Sequence, residues 1–461
     1  MNLEKVHRVY LLGIGGIGMS ALARYFRFQG KRVEGYDRTE TDLTRELEQE
    51  GIDVHYEADL KYVPPFNDLD NTLVIYTPAI PESNIELQFF RKTGTAMYKR
   101  SQILGIIAAE SQCVAISGTH GKTSVTTMTA HLLHQSSIDC TSFMGGISRN
   151  YHTNLILPEK ETNVIVAEAD EFDRSFLRLF PQRAVITSID PDHLDIYGDY
   201  SHLLDAFKNF IGQVNKGGEV LYKKGLPIET SWNEEAIFYS YSIKGKADFY
   251  GTKIRVEEGA YHFDLFTPFG EFSDLHLAYP GLMNVENAVA ACGLALLSGV
   301  TGDEVRKALA TYQGVVRRFD IRFRGNETVY IDDYAHHPKE LEATILSVRD
   351  MFPDRKVTGI FQPHLYSRTR DMAEDFATSL SLLDELILLD IYPAREEPIP
   401  GVDSRLIFEK VTIKDKILCS KEDLPKVVEN LSSGILLTLG AGDIDQWVEP
   451  IVEVLRRKEH V

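Results

Sequence analysis

The stretch Cys113-Val-Ala-Ile-Ser-Gly-Thr-His-Gly-Lys-Thr-Ser-Val125 holds residues suited to gripping a phosphate. Gly118 and Gly121 free the backbone to turn N–H groups toward an anion, with Thr119 between them. Lys122 supplies a cation, and Thr123 or Ser124 offers a hydroxyl to magnesium. The widespread spacing G-x-x-x-x-G-K-[ST] would need glycine at 116. Ile116 stands there instead, so the loop is the tighter Gly118-Thr-His-Gly-Lys-Thr123. The bland alternative is a tight turn with no ligand. Against it, residues 113–116 read as a buried strand, and Met128, Leu132 and Leu133 mark an amphipathic helix after the loop. Lys122 itself reads as a surface loop lysine with little packing.

Further chemistry-bearing residues follow apolar runs. Asn163 to Glu171 is an apolar strand that delivers Glu168, Asp170 and Glu171 to its end, with Asp173 close behind. Carboxylates so crowded repel one another unless a cation sits among them, which points to magnesium; a solvated acidic loop is the alternative. Arg183 to Asp190 is a second such run, leading into Asp190-Pro-Asp-His-Leu-Asp195. His193 is a metal ligand or a paired surface histidine, and acidic strand ends beside one phosphate loop favour metal. Near the start, Gly13, Gly15 and Gly18 have the G-x-G-x-x-G spacing, and Asp37 follows about twenty residues later. Taken alone that pattern says NAD or FAD, or else an unliganded strand-to-helix turn. Val74-Ile-Tyr-Thr-Pro-Ala-Ile-Pro81 ends a strand in a proline-bounded loop on the same expected sheet edge.

These residues need sheets to position them. With 461 residues the chain exceeds one core, and about two to four domains are expected. Strand runs at 6–12 and 74–76 build a first α/β domain ending near 107. The phosphate loop opens a second, and a third begins near Gly314 with strand runs at 328–332, 356–361, 385–390 and 434–439 and helical segments between them, which predicts a small, mostly parallel sheet. The expected fold class is thus α/β in three domains: Rossmann-like at 1–107, P-loop ATPase-like at 108–313, and Rossmann-like again at 314–461. From about 214 to 278 short alternating runs such as Lys253-Ile-Arg-Val256 read as antiparallel strands on the flank of the central domain. Pro280 opens an alanine-rich helix on which Asn284 and Asn287 share a face, as nucleotide contacts or with one of them an N-cap.

Composition narrows the ligand. Hydrophobic residues at 43% and charged residues at 25% are ordinary for a globular protein, and a net charge of −19 argues against nucleic acid as the main partner. The four cysteines have no C-x-x-C pair, which fits a reducing cytosol and speaks against zinc. No apolar run reaches about eighteen residues, so no membrane span is expected, and the start of the chain does not read as a signal peptide.

Taken in order, Gly13-Ile-Gly-Gly-Ile-Gly18, Gly118-Thr-His-Gly-Lys-Thr123, Glu168-Ala-Asp-Glu171, Asp192-His-Leu-Asp195, Asn284-x-x-Asn287, Arg317-Arg-Phe319 and Asp332-Asp-Tyr-Ala-His-His-Pro338 resemble the Mur ligases of peptidoglycan synthesis, over residue 6 to about 446. The resemblance implies that the first domain holds a UDP-sugar, not NAD. Gly15, Gly16, Ile17 and Gly18 would take the diphosphate, Asp37 with Thr77, Pro78 and Ala79 would lie near the uridine, and His120 and Ser175 would face the sugar nucleotide at the cleft.

The implied reaction is ATP-driven amide formation in the cytoplasm, with two Mg2+ ions. The lactyl carboxylate of UDP-N-acetylmuramate attacks the γ-phosphorus, and the amine of L-alanine then displaces phosphate from the acyl phosphate. Gly118, Thr119, Gly121, Lys122, Thr123 and Ser124 would cradle ATP, and Lys122, Glu168 and His193 would be catalytic. One magnesium would sit on Thr123 and Glu168, a second on Glu168 and His193. Asn284, Asn287 and Arg318 would contact adenosine or its phosphates, and Asp332 or Asp333 the ribose. Tyr334, His336, His337 and Arg368 would approach the amino acid or the phosphoryl group.

Arg317-Arg-Phe319 with Gln362-Pro-His-Leu-Tyr-Ser-Arg-Thr369 resembles members that join single alanine more than those that attach a preformed peptide. Leu365 stands where many members have arginine, which leaves the alanine carboxylate to Arg368, and Met283 stands where others have histidine. The carbamylated lysine of sister ligases would fall at or beside Phe207, next to Lys208. A nicotinamide oxidoreductase would leave Lys122, Glu168 and His193 idle, and a regulatory ATP-binding module would release no phosphate. A monomer or homodimer is expected.

Overall fold

A computed structural model describes residues 3–191, 194–257, 259–394 and 396–459. The chain divides into two compact units. The first comprises Met1–Ile254, Phe263–His276 and Glu286–Gln313; the second comprises Arg255–His262, Leu277–Val285 and Gly314–Val461.

The first unit opens with β1 (Arg8–Leu12), β2 (Arg32–Tyr36), β3 (Asp53–His55), β4 (Thr72–Tyr76) and β5 (Met97–Lys99), in the spatial order β3-β2-β1-β4-β5 and all parallel. Val9 to Leu12 and Leu73 to Ile75 are buried without alternation, as strands covered on both faces must be. Chain order reverses between β1 and β4, where open α/β sheets bind ligands at the carboxyl ends. The glycine turn sits there, leading into α1 (Ile17–Phe28).

A ten-stranded sheet follows, built from β6 (Gln112–Ser117), β7 (Thr141–Phe143), β8 (Leu155–Ile156), β9 (Val164–Glu168), β10 (Arg183–Ile186), β11 (Glu219–Lys223), β12 (Ile237–Ser242), β13 (Phe249–Glu257), β14 (Ala260–Thr267) and β15 (Gly270–Leu277). Its order is β15-β14-β13-β12-β11-β10-β6-β9-β7-β8. β6 lies between β10 and β9, parallel to both, and runs into the phosphate loop and α2 (Lys122–His134). The expectation of antiparallel strands from about 214 needs correcting. β11 and β12 pair in parallel and extend the main sheet, as does the β12–β13 pair. From β13 to β15 the connections are short enough for tight turns, which makes those strands hairpins.

The two sheets share one apolar core, in which Val9, Leu11 and Phe26 are continuous with Ala115, Phe143 and Phe176. At Gly105 an added Cβ would fall 2.5 Å from the Arg178 carbonyl oxygen, so the helix Arg100–Ala108 lies directly against the turn Phe172–Arg178.

The helix α3 (Leu282–Leu297) starts one residue after Gly281, so neither Asn284 nor Asn287 is its N-cap. The second unit carries β16 (Asp320–Arg324), β17 (Thr328–Asp333), β18 (Val357–Phe361), β19 (Glu385–Leu388), β20 (Lys416–Leu418) and β21 (Gly434–Leu439), ordered β16-β17-β21-β18-β19-β20. Only β16 is antiparallel. Alternate residues feed two cores, Val329, Ile331 and Leu437 on one face and Tyr330, Ile360 and Leu436 on the other. The loop after β17 leads into α4 (Pro338–Met351). Among the described residues no helix is long and apolar enough to cross a membrane.

Candidate functional site

The phosphate loop is shaped by two glycines with positive φ, Gly118 at +134° and Gly121 at +84°. A Cβ on Gly118 would fall 2.1 Å from Thr187 Oγ1, so the loop lies flush on the residues after β10. Thr187 Oγ1 shares its one proton between the carbonyls of Ser117 (3.1 Å) and His120 (2.5 Å). Ser188 Oγ accepts the His120 N–H at 2.7 Å, and the Thr119 N–H reaches the Ser188 carbonyl at 3.2 Å. Thr187 and Ser188 therefore hold the loop, a role missed in the sequence because a strand ending in Thr-Ser matches no phosphate motif. Thr119 Oγ1 accepts from the Asp190 N–H, and His120 Nε2 lies 3.8 Å from Asp190. Ser124 is buried in the first turn of α2. The amide oxygen of Asn287 lies 3.1 Å from where a Gly121 Cβ would stand, which brings Asn287 to the loop.

Lys122 opens α2, where helix N–H groups face the loop and favour an anion. It is not a surface lysine. Its side chain is 13% exposed, and Nζ donates to the Gly118 carbonyl at 2.8 Å and pairs with Glu171, itself fully buried, at 2.8 Å. Burial works against the ammonium, but the charges of Glu171, Asp170 and Glu168 outweigh it and hold it protonated. Burial also raises the Glu171 carboxyl, with Lys122 opposing. The cation beside this part of the acidic run is thus the chain's own lysine.

Glu168 ends β9 in register with Ile116, which sets its carboxylate at the mouth of the loop. Oε1 accepts from Thr123 Oγ1 and Oε2 from the Gly145 N–H, both at 3.2 Å. A hydroxyl and a carboxylate are the hard oxygen donors that magnesium takes alongside phosphate and water. Among the described residues no three His, Cys, Asp or Glu side chains cluster around a cation site. The pair fits an ion shared with a nucleotide and not a closed protein cage. His193 lies outside the described residues.

At the first sheet, Gly15 N–H donates to Asp37 Oδ2 at 2.8 Å, so Asp37 braces the glycine turn. A Cβ on Gly13 would meet Thr77 at 2.5 Å and one on Gly18 would meet Arg100 at 2.8 Å, which brings the 77–80 turn and a guanidinium onto this segment. Gly16 is the N-cap of α1 and Ile17 its first residue. Pro78 and Ala79 lie in a turn closed by the Ile80 N–H on the Thr77 carbonyl. Arg100, beside a helix N-terminus, suits a diphosphate and was not foreseen; only its basic character marked it. Ser175 is half-buried in the turn Phe172–Arg178.

In the second unit Arg317 and Phe319 have positive φ, +61° and +46°. This turn hangs on Asp333, which accepts the N–H groups of Phe319 and Ala335 at 2.8 Å and the Thr344 hydroxyl at 3.3 Å. Burial pushes the Asp333 carboxyl up to about 6. Asp332 accepts from Thr438 at 2.7 Å and pairs with Arg317 Nε at 3.3 Å. Both arginines lie over the Tyr334 ring, Arg318 at 4.8 Å and Arg317 at 5.2 Å. His336 Nδ1 donates to the Tyr334 carbonyl at 3.0 Å, and its ring meets His364 edge-on at 5.8 Å. Burial first, and then the Arg368 and Arg318 charges, push His336 down to about 4 against the pull of Glu340. His337 caps α4, its Nδ1 accepting from Lys339 N–H at 3.3 Å. Leu365, at φ +71°, precedes the short helix Tyr366–Asp371 that carries Arg368. Asn284, in the first turn of α3, donates to the Pro280 carbonyl.

Three family models match the chain in order: "Mur ligase family, catalytic domain" over residues 8–112, "Mur ligase middle domain" over 116–295 and "Mur ligase, glutamate ligase domain" over 317–442. A UDP-N-acetylmuramate–L-alanine ligase of Parabacteroides distasonis is 52% identical over 99% of this chain and 98% of its own. Another, of Phocaeicola vulgatus, is 46% identical over 99% and 100%. Among solved structures, the UDP-N-acetylmuramate–alanine ligase of Thermotoga maritima superposes with a TM-score of 0.81 at 27% identity, covering 98% of this chain and 99% of that one. A murein peptide ligase of Psychrobacter arcticus shares the fold, with a TM-score of 0.70 at 21% identity over 97% and 98%.

Proposed function

The chain belongs to the Mur ligase family, and from that premise we propose that it joins L-alanine to the lactyl carboxylate of UDP-N-acetylmuramate, with ATP cleaved to ADP and phosphate. The reading takes the three domains as 1–107 for the sugar nucleotide, 108–313 for ATP and 314–461 for the amino acid, in a cytoplasmic monomer or homodimer. The observation that carries it is the meeting of Lys122, Thr123 and Glu168 at one positive-φ loop on a helix N-terminus.

The γ-phosphorus is attacked by a carboxylate, so two anions must be brought together, and positioning with charge neutralisation does most of the work. Lys122 stays charged beside the phosphates. Gly118 to Ser124 present backbone N–H groups and hydroxyls to them, with Asn284, Asn287 and Arg318 on the nucleotide and Asp332 or Asp333 serving the ribose. Magnesium on Thr123 and Glu168, with His193 for a second ion, would mask the charge of the triphosphate. Gly15 to Gly18 and Arg100 hold the diphosphate, Asp37 keeps the turn in place, Thr77 to Ala79 flank the uridine, and His120 and Ser175 face the sugar. His336 is neutral at pH 7, with Nδ1 committed to Tyr334, which leaves Nε2 to accept from the alanine ammonium. Tyr334, His337 and Arg368 complete that pocket. No side-chain nucleophile is needed.

Phosphate release in the presence of Mg2+, ATP and UDP-N-acetylmuramate tests the assignment, with alanine, glycine, serine or a tripeptide as acceptor. Release with alanine is expected. Turnover with the tripeptide alone would assign the chain to peptide attachment, and no turnover with any acceptor would leave only nucleotide binding.

A further inference from the structure

Asn154, just before β8, is fully buried and bonded in three directions. Its Nδ2 donates to the Ile17 carbonyl at 2.5 Å and to Ser20 Oγ at 2.8 Å, in the first turn of α1. Its Oδ1 accepts from Arg24 Nη1 at 2.5 Å. Arg24 is clamped in turn by Glu50 and Glu46. A carbonyl on one side and a guanidinium on the other fix which end of the amide faces which. The Asn154 backbone carbonyl accepts the Met144 N–H at 3.0 Å, and the next N–H, that of Gly145, is the donor to Glu168. Any Cβ at Gly145 would come within 2.3 Å of that carboxylate. Segment 144–154 therefore spans from the diphosphate turn to the carboxylate that Thr123 also touches.

We propose that Asn154 and Gly145 are positioning residues which make the set of the Glu168 carboxylate depend on the seating of α1, so that a sugar nucleotide at Gly15 to Gly18 tightens divalent-cation binding at the phosphate loop. This rests on the roles given above to Glu168 and the glycine turn. The strut is continuous hydrogen bonding through one buried amide, and a bound diphosphate acts on the helix turn whose Ile17 carbonyl that amide holds. Groups that orient a cation ligand typically cost about 10–100-fold in metal affinity when altered.

The test is Mn2+ binding to the full chain by electron paramagnetic resonance, with a non-hydrolysable ATP analogue, with and without UDP-N-acetylmuramate. In the unaltered protein the sugar nucleotide should tighten Mn2+ at least about fivefold. Asn154→Ala should erase that ratio. Ser20→Ala, which deletes one hydroxyl and keeps the protein folded should Asn154→Ala not, should reduce it. Gly145→Ala should weaken Mn2+ about tenfold with or without the sugar nucleotide. No ratio in the unaltered protein, or one unchanged in Asn154→Ala and Ser20→Ala, overturns the proposal. Undiminished Mn2+ binding by Glu168→Gln would instead remove its premise, and failure of UDP-N-acetylmuramate to bind would remove the reading of the glycine turn.

Discussion

Lys122 and Glu171 form a buried ion pair between residues 49 apart in sequence. The lysine was legible from its place after Gly121, but its partner was not, because only the fold decides which carboxylate of an acidic run turns inward. Lys122→Ala should abolish turnover and also destabilise the protein by about 3–5 kcal/mol at pH 7, since it strands a buried carboxylate. Glu171 can then escape by taking a proton, so the loss should shrink toward pH 5. Denaturant unfolding at the two pH values checks this. Lys122→Ala with Glu171→Gln should restore stability and not turnover. His336 gives an independent prediction. Its folded value near 4 lies below the ordinary 6.5. Between those values the unfolded chain binds a proton that the native ring refuses. Its contribution is complete above 6.5 and is lost as the pH falls toward 4. The stability difference between the protein and His336→Gln should change by about 1–2 kcal/mol from pH 7 to pH 5, measured by urea unfolding. An unchanged difference would contradict the burial argument.

At the scale of elements, the phosphate loop and its strand were readable because glycine spacing and an apolar run are local signals. What supports the loop was not, since Thr187 and Ser188 reach it only through the β10–β6 pairing. Gly118→Ala places a methyl on Thr187 at φ +134°, so it should cost about 1–3 kcal/mol of strain and weaken ATP-analogue binding well over tenfold, read by calorimetry. Ser188→Ala should weaken it less, because the Thr187 bonds remain. The error over β11 and β12 has a physical source. Both strands are only partly buried, which normally marks an antiparallel flank, whereas here they pair in parallel and extend the main sheet.

Across the whole molecule, the strand runs and the order of motifs predicted an α/β architecture of mostly parallel sheets with an antiparallel flank; the structure has that α/β architecture in three sheets, with the flank continuous with the second. The sharing of one core by the first two sheets was invisible, because periodicity says which face of a helix is apolar and not which sheet receives it. A fragment ending at residue 108 would expose the faces of α1 and of Arg100–Ala108 that meet β7, β8 and the turn Phe172–Arg178. It should melt without a cooperative transition in circular dichroism; a sharp melt would contradict the shared core. With both lactyl carboxylate oxygens of UDP-N-acetylmuramate labelled as 18O, turnover with ATP and alanine should release phosphate carrying one 18O, resolved by 31P NMR. Unlabelled phosphate formed alongside amide product would contradict acyl-phosphate chemistry and the account built on it.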